Sequence, residues 1–127
     1  LDSSIMSDMS LTGRFEEALV AAPVLHNMAT PYDTDLYMAY MYGNQAYAHI
    51  ENTENPEGLD ICIIKDSYAV PFAAFASLRC HNVTLIDPRY YEEHIEDFIN
   101  SEKFDYVLVM FSPDDLAEEF FTFGEKR

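Results

Sequence analysis

Leu59-Asp60-Ile61-Cys62-Ile63-Ile64-Lys65-Asp66-Ser67-Tyr68-Ala69-Val70-Pro71 is the stretch that decides the fold. Leu59 to Ile64 is an apolar, β-branched run of strand length. A short polar turn follows it. Val70, Ala74 and Leu78 then fall four apart with Phe75 beside them, as on one face of a helix. Pro71 suits the start of that helix, because the N–H it lacks would be unpaired there in any case. The stretch therefore predicts a strand, a polar turn centred on Lys65-Asp66-Ser67, and a helix.

Downstream the same alternation repeats. Val83 to Ile86 is a second apolar run, closed by Asp87-Pro88, and Tyr91, Ile95, Phe98 and Ile99 mark a second amphipathic helix. Tyr106 to Phe111 reads as a third strand, expected to be buried. Ser112-Pro113-Asp114-Asp115 offers an N-cap, a first-turn proline and two acids favoured at a helix start, predicting a last helix through Phe120. Strand–helix alternation implies a parallel sheet with right-handed crossovers. Continuous apolar strands agree, since parallel strands are covered on both faces. The expected class is α/β: three layers, a mainly parallel sheet and helices on both faces, as in flavodoxin-like folds.

Upstream the pattern is weaker. Residues 1–10 are polar and are expected to be loosely held. Phe15, Ala18, Leu19 and Ala22 recur at helical spacing, predicting a short helix over 13–22 that Pro23 ends. Residues 23–35 read as a loop, Gly43-Asn44 as a breaker, Tyr47 to Ile50 as a further strand, and 52–58 as a surface loop. Residues 1–31 thus form an N-terminal segment with a short helix, and residues 32–127 form the α/β domain.

Composition narrows the functional classes. Seven basic and 23 acidic side chains give a formal charge of −16, which repels phosphate backbones and anionic membrane surfaces. Nucleic acid is excluded as a natural partner. No apolar run reaches the ~18 residues of a membrane span, and no signal-peptide pattern opens the chain. Cys62 and Cys80 make neither a disulfide framework nor a metal set, and Cys62 reads as a buried thiol. No metal or cofactor is expected, and no Gly-rich loop follows a strand to hold a nucleotide.

Ligands of such sheets collect at the carboxyl ends of the strands, where Ser67 falls. Two readings of Ser67 are open. It N-caps the following helix, or it presents its hydroxyl as a nucleophile beside turn amides that hold an oxyanion. A nucleophilic serine needs a base within ~3 Å. His81 falls on the opposite sheet edge, His94 sits on an acidic, solvated face, and His26 and His49 have no firm place. Tyr37, Tyr40, Tyr42 and Tyr47 are open to a sugar-binding groove or to ordinary core packing.

Several segments resemble the DHHW family. They are Ile63-Ile64-Lys65-Asp66-Ser67-Tyr68-Ala69 with Pro71-Phe72, then Thr84-Leu85-Ile86-Asp87-Pro88-Arg89-Tyr90-Tyr91, and upstream Tyr42-Gly43-Asn44 and Ile50-Glu51-Asn52. That family is similar to the alginate O-acetyltransferase-like branch of SGNH hydrolases, and the resemblance spans roughly residues 32–111. It implies Ser67 at the nucleophile position and Asn44, Asp66, Asp87 and Arg89 as the binding set. Arg89 also admits a plainer role, pairing with Asp87 to hold the loop. Lys65 stands where SGNH enzymes carry glycine. The Asp-His-His-Trp motif, which supplies the family's base and orienting acid, is absent here and lies upstream in relatives. The resemblance thus implies the C-terminal portion of a longer protein, with a carbohydrate or acylated substrate and an extracellular or envelope setting. Completion by an upstream segment or by a homo-oligomer is expected. The rival expectation is a non-catalytic binding or interaction module on the same fold.

Overall fold

The computed structural model describes residues 2–5, 10–20 and 39–115. Its centre is the predicted parallel unit: β4 (Leu59–Lys65) lies between β5 (Cys80–Ile86) and β6 (Tyr106–Met110) and runs parallel to both. The helix α2 (Val70–Ala76) connects β4 to β5, and α3 (Ile95–Ser101) connects β5 to β6. The anticipated strand near residue 47 is β3 (Tyr47–Glu51), which pairs antiparallel to β5.

Two more strands extend the sheet. β1 (Asp2–Ile5) pairs antiparallel with β3, and β2 (Ser10–Thr12) pairs antiparallel with β1, giving the order β2-β1-β3-β5-β4-β6. The opening residues, expected to be loosely held, are therefore strands. Any non-proline backbone can supply ladder hydrogen bonds, so polar side chains did not prevent pairing. The sheet is mixed rather than mainly parallel as expected: its parallel half is β5-β4-β6, and antiparallel strands complete the other half. The short helix α1 occupies Phe15–Ala18 within the predicted span. After β6 a 3₁₀ turn forms at Pro113–Asp115. The predicted last helix through Phe120, the loop over 23–35, Tyr37 and His26 lie outside the described residues.

Period-two alternation splits the core between the two sheet faces. Ile61 and Ile63 of β4, Val83 and Leu85 of β5 and Ile50 of β3 pack beneath Val70, Ala73 and Ala74 of α2. Cys62, Ile64 and Ile86 face the other way, beneath Ile95 and Phe98 of α3. Helices thus cover both faces of β4 and β5, the three-layer arrangement of an α/β fold, while β6 is more exposed than the buried strand expected there. Cys62 is a buried free thiol as expected, and burial pushes it up to about 12, far from reactive. The 52–58 loop is fastened to the end of α2: Asn52 Nδ2 donates to Ser77 O at 2.8 Å and Asn55 Nδ2 to Arg79 O at 2.7 Å.

Truncating Ile63, which is wholly buried, should lower unfolding free energy by ~2–5 kcal/mol. Leu59→Ala, at the exposed start of the same strand, should stay within ~0.5 kcal/mol. Urea denaturation of the two variants checks the contrast, and equal losses would contradict the burial pattern.

Candidate functional site

β4 ends in a buried lysine. Lys65 is 1% exposed and faces Asp87, 0% exposed, at the end of β5, with Nζ 3.5 Å from Oδ2. An ammonium in this position must be answered by acceptors, because each buried ion loses several kcal/mol of hydration. Three are in place: Asp87, the Gln45 carbonyl at 3.0 Å, and Asn44 Oδ1 in a short hydrogen bond. Asn44 Nδ2 in turn donates to Asp87 Oδ2 at 2.8 Å. Arg89 grips the same carboxylate with Nε at 2.9 Å and its terminal nitrogen at 2.7 Å, and its backbone N–H adds a bond at 3.1 Å.

The loop that delivers Asn44 has an uncommon backbone. Met41, Tyr42 and Gly43 all have positive φ, at 52°, 56° and 102°. For the two non-glycine residues this costs of order 1–3 kcal/mol each and persists only where the surroundings fix it. Met41 is buried in the core and its N–H binds Leu19 O at 2.8 Å. That anchor turns Asn44 and Gln45 toward Lys65.

Burial lowers the Lys65 amine to about 8, against the attraction of Asp87 that would raise it. Burial alone would raise the Asp87 carboxyl. Hydrogen bonds from Arg89 and Asn44 and the charge of Lys65 outweigh that effect and hold it below the usual carboxylate value.

The residues after Lys65 form the serine turn. Asp66 precedes a 3₁₀ turn, Ser67–Ala69, and its side chain accepts the Tyr68 N–H at 2.8 Å. Its second oxygen accepts the Ser112 N–H just after β6, so one carboxylate ties two neighbouring strand ends together. The cap is therefore Asp66, not Ser67. The hydroxyl of half-buried Ser67 bonds no other described residue. The Tyr68 amide, however, is engaged by Asp66 and is not a free donor for an oxyanion.

The structure thus gathers Asn44, Asp87 and Arg89 at one sheet edge and sets Asp66 and Ser67 on the adjoining turn. Asp66 and Asp87 are buried beneath that edge. Asn44 is bound on both its oxygen and its nitrogen, and Arg89 holds the Asp87 loop. Sequence reasoning missed Lys65, which joins the group. Its only signal was a charge directly terminating the apolar run Ile61–Ile64.

None of the described histidines meets Ser67. His81 lies at the opposite end of the sheet, 3.1 Å from Asp60. His49 binds Thr84 Oγ1 at 3.1 Å, level with Cys62, and His94 starts α3, 3.5 Å from Asp97. Of the tyrosines, Tyr47 packs against Phe98 and Tyr91, and Tyr40 against Phe75, as core residues do. A cavity of about 350 Å³, lined by His49, Thr84, Phe98 and Glu102 among others, opens on the α3 side, away from the serine turn.

The α/β fold is that of known structures. The chain resembles PatB1 of Bacillus cereus solved with a sulfonyl adduct (TM-score 0.71, 19% identity, 98% of this chain and 40% of that one). A second structure of PatB1 of Bacillus cereus matches with TM-score 0.65 and 18% identity over 94% of this chain and 38% of the other. A DHHW family protein from Eubacterium siraeum DSM 15702 matches at 31% identity over 59% of this chain and 24% of that one, with TM-score 0.53. The structural neighbours thus include a DHHW family protein, and the DHHW- and PatB1-like fold is supported. The chain spans less than half the length of each of these structures. No family profile matches it, and no curated protein sequence does.

Two predictions follow from the buried charges. Lys65 titrates at about 8 in the fold against an ordinary 10.5, so between those values the unfolded chain holds a proton that the folded chain has released. Stability measured relative to Lys65→Met should rise across that pH window and stay level below it; a difference that falls with pH would refute the assignment. Asp87→Ala leaves two cations facing each other and should cost ~3–5 kcal/mol by denaturant titration.

Proposed function

We propose that this chain is part of an SGNH-hydrolase-like domain that transfers or hydrolyses acyl groups, with Ser67 at the nucleophile position. The observation that carries the reading is the division of labour in the serine turn. Asp66 performs the capping, and the Ser67 hydroxyl is left unengaged among the described residues at the carboxyl end of a parallel strand. That is where ligands of such sheets bind. Ser67 Oγ would attack an ester carbonyl, its proton passing to a base, and the carbonyl oxygen would take the negative charge. Remaining turn amides would stabilise that charge. The C–O bond to the alcohol would then break, the alcohol leaving with that proton, and water or an acceptor hydroxyl would release the acyl group from Ser67. The resemblance to O-acetyltransferase-like proteins points to acyl groups on envelope glycans as the substrate class. Asn44, Asp87 and Arg89, with Lys65, hold the shape of this edge; among them Arg89 is partly exposed and suited to touch a substrate.

No described histidine stands beside Ser67, so the base is not assembled among the described residues. This same observation favours a second reading, a binding module that keeps the fold without the chemistry.

Hydrolysis of an aryl acetate by the purified chain should fall far below ordinary turnover and change little in Ser67→Ala, because loss of a triad member leaves at most ~10³–10⁴-fold over water. Turnover of ~1 s⁻¹ or more, lost in Ser67→Ala, would mean that a base is present. Added imidazole separates the two readings, since it can stand in for the missing group. Under the enzyme reading a sulfonyl fluoride, a reagent class suggested by the sulfonyl adduct of PatB1, labels Ser67 in an imidazole-dependent way, as peptide mapping would reveal. Labelling that avoids Ser67 favours the binding module.

A further inference from the structure

The sheet ends differently at its two edges. β2, at one end, is only three residues long, a common way to blunt an edge. β6, at the other, is Tyr106-Val107-Leu108-Val109-Met110, without the charge, proline or bulge that usually guards an edge strand. Its cover stops abruptly. Val107 and Val109 stand beside Cys62 and Ile64 of β4 and share their face. Cys62 and Ile64 are 0% and 2% exposed, whereas Val107 and Val109 are 40% and 49% exposed. On the other face Tyr106 is 60% exposed, although its neighbour Ile61 is 5%. Among the described residues α3 therefore shields β4 and β5 and leaves Val107 and Val109 open, whereas on the other face Leu108 and Met110 pack against the core and Tyr106 is open. A parallel strand that is apolar on both faces belongs inside a sheet.

We propose that the β6 edge is a docking surface for one further β-strand, apolar on both faces and neutral or basic at its flanks, contributed by polypeptide outside these 127 residues. Three observations choose this occupant. Exposed apolar side chains lie on both faces of β6, Val107 and Val109 on one and Tyr106 on the other, which suits a strand pairing in the plane of the sheet. The chain covers only 40% and 38% of the two PatB1 chains it resembles, so most of each relative lies beyond the matched part. The charge of −16 disfavours a second copy and favours basic flanks, as do Glu102, Asp105 and Asp114 around β6, which outnumber Lys103. An occupant parallel to β6 would end at the same sheet edge as Ser67, about two strand spacings, ~10 Å, from β4. The docking itself does not depend on the acyl-transfer reading.

Hydrogen exchange of the intact chain tests this with a short synthetic peptide of valine and isoleucine flanked by lysines. Exchange at the amides of 106–110 should slow about tenfold when free peptide is about ten times its dissociation constant. The same peptide flanked by glutamates should bind more weakly. Val109→Lys should abolish the protection with far-UV circular dichroism unchanged; should that variant misfold, Val107→Thr should weaken it. Protection that is absent at 106–110, or that survives both substitutions, overturns the proposal. So does sedimentation showing a dimer of the chain alone that Val109→Lys dissociates, since the occupant would then be a second copy.

Discussion

A lysine at the buried end of a central strand is the constraint on which the carboxyl edge of this sheet depends. Hydration lost by Lys65 has to be replaced locally, and the replacements come from two separate parts of the chain: Asp87 after β5, and Asn44 and Gln45 before β3. The ammonium therefore acts as a cross-link between elements far apart in sequence. Asp87 cannot serve it alone, because a buried carboxylate also needs donors, and Arg89 and Asn44 supply them. Each polar group in the set has a charged or amide partner, the condition under which a buried network is tolerated.

The same logic extends from β4 to β6 through Asp66. With one carboxylate oxygen on Tyr68 N–H and the other on Ser112 N–H, the residue after Lys65 fixes the serine turn and the exit from β6 at once. Lys65 and Asp66, adjacent in sequence, thus secure the two neighbours of β4 on opposite sides. Where SGNH enzymes are expected to carry glycine, this chain has a lysine whose side chain organises the loop around it. The strained backbone at Met41–Gly43 belongs to this arrangement, since it presents Asn44 to both Lys65 and Asp87.

The parallel half of the fold was legible because its signal is local. Ile61–Ile64 and Tyr106–Met110 are apolar without interruption and Val83–Ile86 is broken only by Thr84, the pattern of parallel strands. β1 and β2 carry no such pattern; their pairing rests on backbone hydrogen bonds, which polar residues make as readily as apolar ones. The gathering of Asn44, Asp87 and Arg89 was readable only through resemblance to a family. Lys65 escaped for a physical reason: a lysine at a strand end ordinarily extends its amine into water, and nothing local shows that Asn44, 21 residues earlier, closes over it.

Capping and nucleophilic chemistry compete for the same atoms in a serine turn. A serine that caps directs its oxygen at backbone N–H groups one turn ahead and so cannot also face a substrate. Asp66 resolves that competition by taking the Tyr68 amide, but in doing so it removes one donor from any oxyanion hole. The turn is therefore held rigidly by a residue that does not react, next to one whose hydroxyl is unengaged among the described residues. Rigid support from a buried neighbour is what a reactive group requires to keep its geometry, and it is equally what a binding loop requires. The difference lies in the proton: a serine hydroxyl without a base holds it, and among the described residues no histidine stands at Ser67 to take it.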